Sequence, residues 1–198
     1  MQMRAQSSNL NEQLGQIEYV FSDKTGTLTC NVMEFKKFSA GIDNYGLGTR
    51  PIMPQEDNVC FFDKKLDDVL DGTESPQREA LVRVILFLSC CHTIIIDQIK
   101  KTYNSSSPDE LALVNAAKQF GFEFKERDAE DNIIIFDRRK KVEYKYKLLN
   151  ICEFTSTRKR QSCIFRDPQG QIILMCKGAD SVITERLSAS SRNSSVFH

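Results

Sequence analysis

The order of the predicted elements constrains the fold of this chain most, because helices come first and strands follow. Ser75-Pro76 and Ser107-Pro108 each place an N-cap residue before a proline at the first helical position, so each predicts a helix start. The five segments that then read as strands are Phe122–Phe124, Ile133–Phe136, Val142–Asn150, Gln161–Arg166 and Gln171–Cys176. The turn sequence Asp167–Gly170 joins the last two into a hairpin. We therefore expect an α+β fold in which an antiparallel β-sheet is flanked by helices.

Composition excludes some functions. The 198 residues carry 27 basic and 27 acidic side chains, and this zero net charge argues against a nucleic-acid-binding protein. The seven cysteines form no C-x-x-C pair, which favours reduced thiols. Cys90, Cys91 and His92 could be imagined as metal ligands, but they lie in an apolar helical run and are predicted to be buried side chains.

A reactive motif lies near the start of the chain. Ile17–Phe21 predicts a short, largely buried strand that leads into Asp23, and Gly26 favours a tight turn whose N–H groups can face an anion. A carboxylate placed there is a plausible phosphoryl acceptor. A bare Asp-x-Thr-Gly would be only a surface turn. The full sequence DKTGTLT, however, matches the phosphorylation motif of P-type ATPases, and the chain resembles that family.

Three further blocks resemble the nucleotide-binding domain of P-type ATPases, and specifically their lipid-flippase subfamily. They are Tyr103–Phe124, Asn150–Ser162 and Cys176–Ile183. Within them, SPDE-x-ALV and CEFTSTRKR are the sequences that separate flippases from ion pumps, and the resemblance extends over roughly Ser8–Leu187.

The resemblance implies an ATP site. In it Phe154 would stack on adenine, Glu110 would lie near the amino group of the base, Ser156 and Lys159 would line the pocket, and Lys177 would meet the adenosine or the phosphates. Adenine requires an apolar ring face and an acceptor for its amino group, and the triphosphate requires cations.

Each of these residues also has an ordinary structural explanation. Glu110 could be the reciprocal partner of Ser107 in a capping box, and Phe154 could be a core residue. Ser156, Lys159 and Lys177 could simply be solvated. Their occurrence together, in the order of the family, favours the site.

The resemblance also implies a mechanism for a full-length protein. Asp23 would attack the γ-phosphate of ATP, Lys24 would hold the phosphate, and Asp23 and Thr25 would bind Mg²⁺. The aspartyl-phosphate would drive phospholipid from one leaflet to the other through a multi-pass membrane domain, with this segment on the cytosolic side and an accessory subunit as a candidate partner. The family's T-G-D and G-D-G-x-N-D segments do not occur in the sequence, so we expect the isolated chain to be inactive. We also expect it to be monomeric.

This resemblance divides the chain into three segments. Residues 1–35 would belong to a Rossmann-like phosphorylation domain, residues 36–187 would form the nucleotide-binding domain, and residues 188–198 would be a disordered tail. The many glycine and proline residues within residues 39–72 predict a long loop, with a short helix within residues 59–70.

Other functions remain as alternatives. The chain could belong to a P-type cation pump, or it could be a stand-alone adenine-nucleotide-binding module without catalysis. A phosphatase of the same Asp-nucleophile superfamily would need a second Asp as general acid where this chain has Thr25.

Overall fold

The computed structural model describes residues 10–46, 55–97 and 99–193. Contacts divide the chain into two units between Val32 and Met33, three residues before the predicted boundary. Each unit is described separately.

The first unit contains one short helix, α1 (Leu10–Leu14), and one wide turn, Lys24–Leu28. The Thr29 N–H closes the turn by donating to the Lys24 carbonyl over 3.2 Å, and Gly26 has a φ of 81°, a conformation that glycine adopts without strain. A turn is therefore present at DKTGTLT as predicted, but it is wider than the tight turn that Gly26 favours.

The strand predicted at Ile17–Phe21 is wrong. This segment has no regular secondary structure, and the side chains of Val20 and Phe21 are 83% and 96% exposed. A strand needs a neighbour for its backbone N–H and C=O groups, and the described residues of this unit contain no other strand. Apolar sequence alone therefore did not produce the strand.

The second unit contains the two capped helices and the five strands that the sequence predicts. Its helices are α2 (Lys64–Asp71), α3 (Pro76–Cys90), α4 (Pro108–Gln119), α5 (Asp180–Thr184) and α6 (Ala189–Arg192). Its strands are β1 (Phe38–Ala40), β2 (Asp43–Tyr45), β3 (Ile95–Ile96), β4 (Tyr103–Asn104), β5 (Phe122–Arg127), β6 (Asn132–Asp137), β7 (Val142–Cys152), β8 (Arg160–Arg166) and β9 (Ile172–Gly178).

Helices α3 and α4 begin where the sequence predicts. Ser75 Oγ accepts a hydrogen bond from the Arg78 N–H over 3.2 Å, and Ser107 Oγ accepts one from the Glu110 N–H over 3.4 Å. Each bond satisfies a backbone donor that the first helical turn leaves without a partner. Both N-cap predictions are confirmed.

Strands β5 to β9 form one antiparallel sheet in the order of the chain. The predicted α+β fold, with an antiparallel sheet flanked by helices, is confirmed. The Rossmann-like character of the preceding segment stays a prediction.

The core lies between α3, α4 and one face of this sheet. Its fully buried residues include Leu81, Ile85, Val114, Ile135 and Phe165. Removing such a side chain to alanine typically costs about 2–5 kcal/mol. The core therefore fixes the positions of the α4 start and the strand ends, which carry the site.

An aromatic cluster joins the beginning of the second unit to α4. Phe35, Phe38, Phe61 and Phe120 contact one another with ring centroids 4.8–6.0 Å apart. Such pairs contribute about 0.5–1.5 kcal/mol each beyond their burial. Phe35 thus packs in the core of this unit.

The segment predicted as a loop contains regular structure. The hairpin β1–β2 and helix α2 lie within it, and the short helix predicted in residues 59–70 is present from Lys64. Residues 47–54 of this prediction lie outside the described residues. In the predicted tail, Ala189–Arg192 form one helical turn, and residues 194–198 likewise lie outside the described part.

Within the described ranges, no helix is both long and apolar enough to cross a membrane.

Candidate nucleotide site

A cavity of about 880 Å³ opens where the start of α4, the end of β9 and the segment after β7 meet. Glu110, Phe154 and Lys177 all line it, together with Asp109, Gln161 and Gly178. Three of the five residues predicted to bind nucleotide therefore share one cavity, although 44 residues separate Glu110 from Phe154.

Glu110 is the most constrained residue of this cavity. It lies in the first turn of α4, where the residue is 5% exposed, and Lys177 Nζ on β9 donates to its Oε1 over 2.9 Å. Its Oε2 accepts from the Thr93 backbone N–H over 3.0 Å and from Thr93 Oγ1 over 2.8 Å.

The capping-box explanation of the Glu110 side chain is wrong. Its carboxylate has the partners just given, and the Ser107 N–H donates instead to Ser105 Oγ over 3.1 Å. Only the other half of the box, the bond from the Glu110 N–H to Ser107, is present.

These contacts set the charge of Glu110. Burial raises the pKa of the carboxyl, but hydrogen bonding to Lys177, the Lys177 charge and the two Thr93 donors outweigh burial and hold the pKa below its ordinary value. Glu110 is therefore ionised at neutral pH, and an ionised carboxylate only accepts hydrogen bonds.

Phe154 follows the end of β7 and is 61% exposed. The core explanation of this residue is therefore wrong. A large apolar ring left open to solvent beside a charged cavity is an arrangement that a flat apolar ligand can cover.

Ser156 and Lys159 are exposed and lie in a turn closed by the Lys159 N–H, which donates to the Thr155 carbonyl over 2.7 Å. The described residues lining the cavity do not include them. Their role in binding nucleotide stays a prediction.

Gly178 sets the distance between this turn and β9. A Cβ atom at Gly178 would lie 2.6 Å from the Lys159 carbonyl oxygen, closer than atoms can approach. The Ala179 N–H donates to the same carbonyl over 3.1 Å. Glycine is therefore required for the turn to pack beside Lys177.

Asp23, Lys24 and Thr25 lie in the first unit and are exposed. Among the described residues, no group of three or more His, Cys, Asp or Glu side chains is placed to hold a metal. The Asp23 carboxylate and the Thr25 carbonyl are oxygen donors of the kind Mg²⁺ prefers, but they supply only part of its octahedral shell.

The burial predicted for Cys90, Cys91 and His92 is confirmed, since the three are 1%, 1% and 4% exposed. His92 Nε2 donates to the Ser89 carbonyl over 2.9 Å, and Nδ1 accepts from the Ile94 N–H over 3.2 Å. Both ring nitrogens are thus occupied by protein, which leaves neither for a metal.

Thr93 is the residue that sequence reasoning missed. It follows α3 inside an apolar run, and no motif or spacing links it to Glu110, 17 residues further along the chain. Only the packing of α3 against α4 brings the two together.

Comparison with known proteins shows the family of this chain. The family model described as P-type ATPase, cytoplasmic domain N, matches residues 79–196. Phospholipid-transporting ATPase DRS2 of Saccharomyces cerevisiae is 43% identical over 191 residues, which cover 91% of this chain and 14% of that protein.

Two other relatives give similar values. Phospholipid-transporting ATPase IC of Homo sapiens is 41% identical over 203 residues, covering 93% of this chain and 16% of that protein. Probable phospholipid-transporting ATPase 7 of Arabidopsis thaliana is 34% identical over 255 residues, covering 96% of this chain and 20% of that protein. The chain thus spans a fifth or less of the length of these relatives.

The family model covers α4 and all five strands of the sheet, which is more than half of the sequence. This chain belongs to the P-type ATPase family, as its cytoplasmic domain N.

Proposed function

We propose that this chain is the ATP-binding portion of a phospholipid-transporting P-type ATPase and that it holds adenine between Phe154 and Glu110. The observation that carries the proposal is the meeting of an exposed aromatic ring, an ionised carboxylate and a lysine at one cavity. A volume of about 880 Å³ is in the range of small-ligand sites.

The groups suit the parts of ATP. The Phe154 ring would stack on the base, the exocyclic amine of adenine would donate to Glu110, and the Lys177 ammonium would reach the phosphate side. Stacking contributes about 1–3 kcal/mol and a hydrogen bond to a charged group about 1.5–3 kcal/mol. Their sum corresponds to a dissociation constant between roughly ten millimolar and tens of micromolar.

The names of the relatives support lipid transport over the alternatives, because those reported above are phospholipid-transporting ATPases and none is named as a cation pump. In a full-length protein, the Asp23 carboxylate would attack the γ-phosphorus of ATP, form an aspartyl-phosphate and release ADP. Lys24 would hold the transferred phosphate, and Mg²⁺ at Asp23 and Thr25 would neutralise its charge. The chain would lie on the cytosolic side of a membrane protein.

A titration tests the nucleotide site. We expect Phe154→Ala to weaken ATP binding roughly 5- to 140-fold, which is the worth of one stacked base. Phe62→Ala is the matched control, because Phe62 is also exposed, at 46%, and does not line the cavity. The measurement is isothermal calorimetry, or an NMR titration of backbone amides, with each variant.

Two results would contradict the site. Either ATP binds Phe154→Ala as tightly as it binds the unsubstituted chain, or Phe62→Ala loses as much affinity. The phosphorylation step is tested separately in a full-length protein, where acid-stable, hydroxylamine-labile phosphate should form and should disappear in Asp23→Asn.

A further inference from the structure

The two carboxylate oxygens of Glu110 have partners of different kinds. Oε1 binds the mobile end of a long side chain, Lys177 Nζ, at 2.9 Å. Oε2 binds Thr93 through a backbone N–H at 3.0 Å and through Oγ1 at 2.8 Å. Ser105 Oγ is a more distant third donor to the same oxygen, at 3.4 Å.

We propose that Thr93 is a positioning residue that keeps Oε2 of Glu110 bound to the protein, so that Oε1 is the atom offered to the ligand. The inference rests on the proposed adenine site. On ligand binding, Lys177 would leave Oε1, and the exocyclic amine of the base would replace it.

The partners of Oε1 and Oε2 differ in how freely they move. Lys177 reaches Glu110 with a flexible four-carbon stem, and 21% of its side chain is exposed where it lines the cavity. Thr93 makes one of its two bonds with its backbone, which no rotation of a side chain can withdraw. The exchangeable oxygen is therefore Oε1.

A buried histidine holds the Thr93 backbone in place. His92 donates through Nε2 to the Ser89 carbonyl in the last turn of α3 and accepts through Nδ1 from the Ile94 N–H. The first bond fixes His92 to α3, and the second spans Thr93, from His92 before it to Ile94 after it. They aim its N–H and Oγ1 at the start of α4.

Thr93 also protects the charge of Glu110. When Lys177 leaves, the carboxylate loses its ion-pair partner while it stays buried, and burial favours the protonated form. Two donors on Oε2 favour the ionised form instead. An ionised carboxylate accepts from the amine of adenine and repels the carbonyl oxygen at the same position of guanine, so Thr93 contributes to the choice of base.

The test uses Thr93→Val and Thr93→Ser in the whole chain. Valine matches threonine in shape and removes only the Oγ1 donor, whereas serine restores that donor. Thr102→Val is the control, because Thr102 is an exposed threonine that does not line the cavity. Two readouts are needed: the carboxyl-carbon NMR titration of Glu110 without nucleotide, and the affinities for ATP and GTP.

We expect Thr93→Val to raise the pKa of Glu110, to weaken ATP binding roughly 3- to 10-fold, the net worth of one hydrogen bond, and to narrow the preference for ATP over GTP. Thr93→Ser should restore all three values, and Thr102→Val should leave them unchanged. A purely structural role would lower the melting temperature without moving the Glu110 titration.

Two results would overturn the inference: an unchanged Glu110 titration in Thr93→Val, or a failure of Thr93→Ser to restore it. Failure of the proposed function is a different result. In that case Phe154→Ala and Glu110→Gln would both leave ATP binding unchanged, while the Glu110 titration, measured without nucleotide, would still report the coupling to Thr93.

Discussion

His92 makes the stability of this domain depend on pH between about 6.5 and 4. Burial lowers the pKa of His92 from its ordinary 6.5 to about 4, because the enclosed ring cannot be solvated as a cation. The hydrogen bond to the Ser89 carbonyl favours the charged form and offsets only part of this effect. Protonation would add a hydrogen to Nδ1, which now accepts from the Ile94 N–H, so that two donors would face each other. The folded protein therefore keeps His92 neutral where the unfolded chain protonates it.

The sign and size of the effect follow from linkage. The unfolded chain binds more protons below its pKa of 6.5, so the stabilisation is full above that value and is lost as the pH falls towards about 4. Between pH 7 and pH 5 the loss from this one group is about 2 kcal/mol, at 1.36 kcal/mol per unit of pKa. Glu110 loses its own contribution only at lower pH, since its pKa lies below the ordinary value.

Urea unfolding followed by circular dichroism at 222 nm measures this loss of stability. Circular dichroism is chosen because the chain has no tryptophan to report unfolding by fluorescence. We expect the free energy of unfolding to fall by about 2 kcal/mol from pH 7 to pH 5. His92→Gln should be less stable at pH 7 and should show little further loss at pH 5. His198→Gln, which changes the other histidine, should retain the loss. An equal pH dependence in the unsubstituted chain and in His92→Gln would refute the reasoning.

Three further substitutions test separate parts of the structure. In Gly178→Ala, the new Cβ would lie 2.6 Å from the Lys159 carbonyl oxygen. This substitution should displace the turn at Lys159, lower the free energy of unfolding by about 1–3 kcal/mol and weaken ATP binding. An unchanged melting temperature together with unchanged ATP affinity would contradict the close approach. Ser107→Ala should remove the N-cap of α4, which costs ~1 kcal/mol and, in a domain of this size, lowers the melting temperature by about 2–4 °C. An unchanged melting temperature would disprove the cap. Arg139→Met should lower the free energy of unfolding by about 1 kcal/mol or less, because the ion pairs of Arg139 to Asp67 and Asp71 are partly exposed. The loss should be smaller in 1 M salt, which screens these pairs. A loss that does not depend on salt would indicate that Arg139 acts through packing.

The basic run at Arg138–Lys141 illustrates a partial success of sequence reasoning. A run of four basic residues between two predicted strands is typical of a solvated hairpin loop, and this run does connect β6 to β7. Arg139, however, also bonds the Phe120 carbonyl over 3.1 Å and pairs with α2. The run therefore ties a helix to the sheet, a role that depends on residues about 70 positions away.

In the candidate site, too, the sequence predicted some of the residues and missed others. Family order in the sequence was enough to propose Glu110, Phe154 and Lys177 together, and the cavity contains all three. It was not enough to separate them from Ser156 and Lys159, which the described cavity lining lacks. Nor could it indicate Thr93, whose partner Glu110 lies on α4, 17 residues further along the chain.

By itself, the sequence determined the features that depend on a few neighbouring residues. The starts of α3 and α4, the turn at Lys24–Leu28 and the hairpin at Asp167–Gly170 all follow from local hydrogen bonds and backbone preferences. Tertiary structure decided what depends on distant partners. Ile17–Phe21 has a strand-like sequence but no strand, because a strand needs a neighbour to pair with. Phe154 is apolar yet exposed, because the fold places it at the rim of a cavity. Thr93 and Lys177, the partners of Glu110, lie after the end of α3 and on β9, and only packing around the shared core brings them within hydrogen-bonding distance.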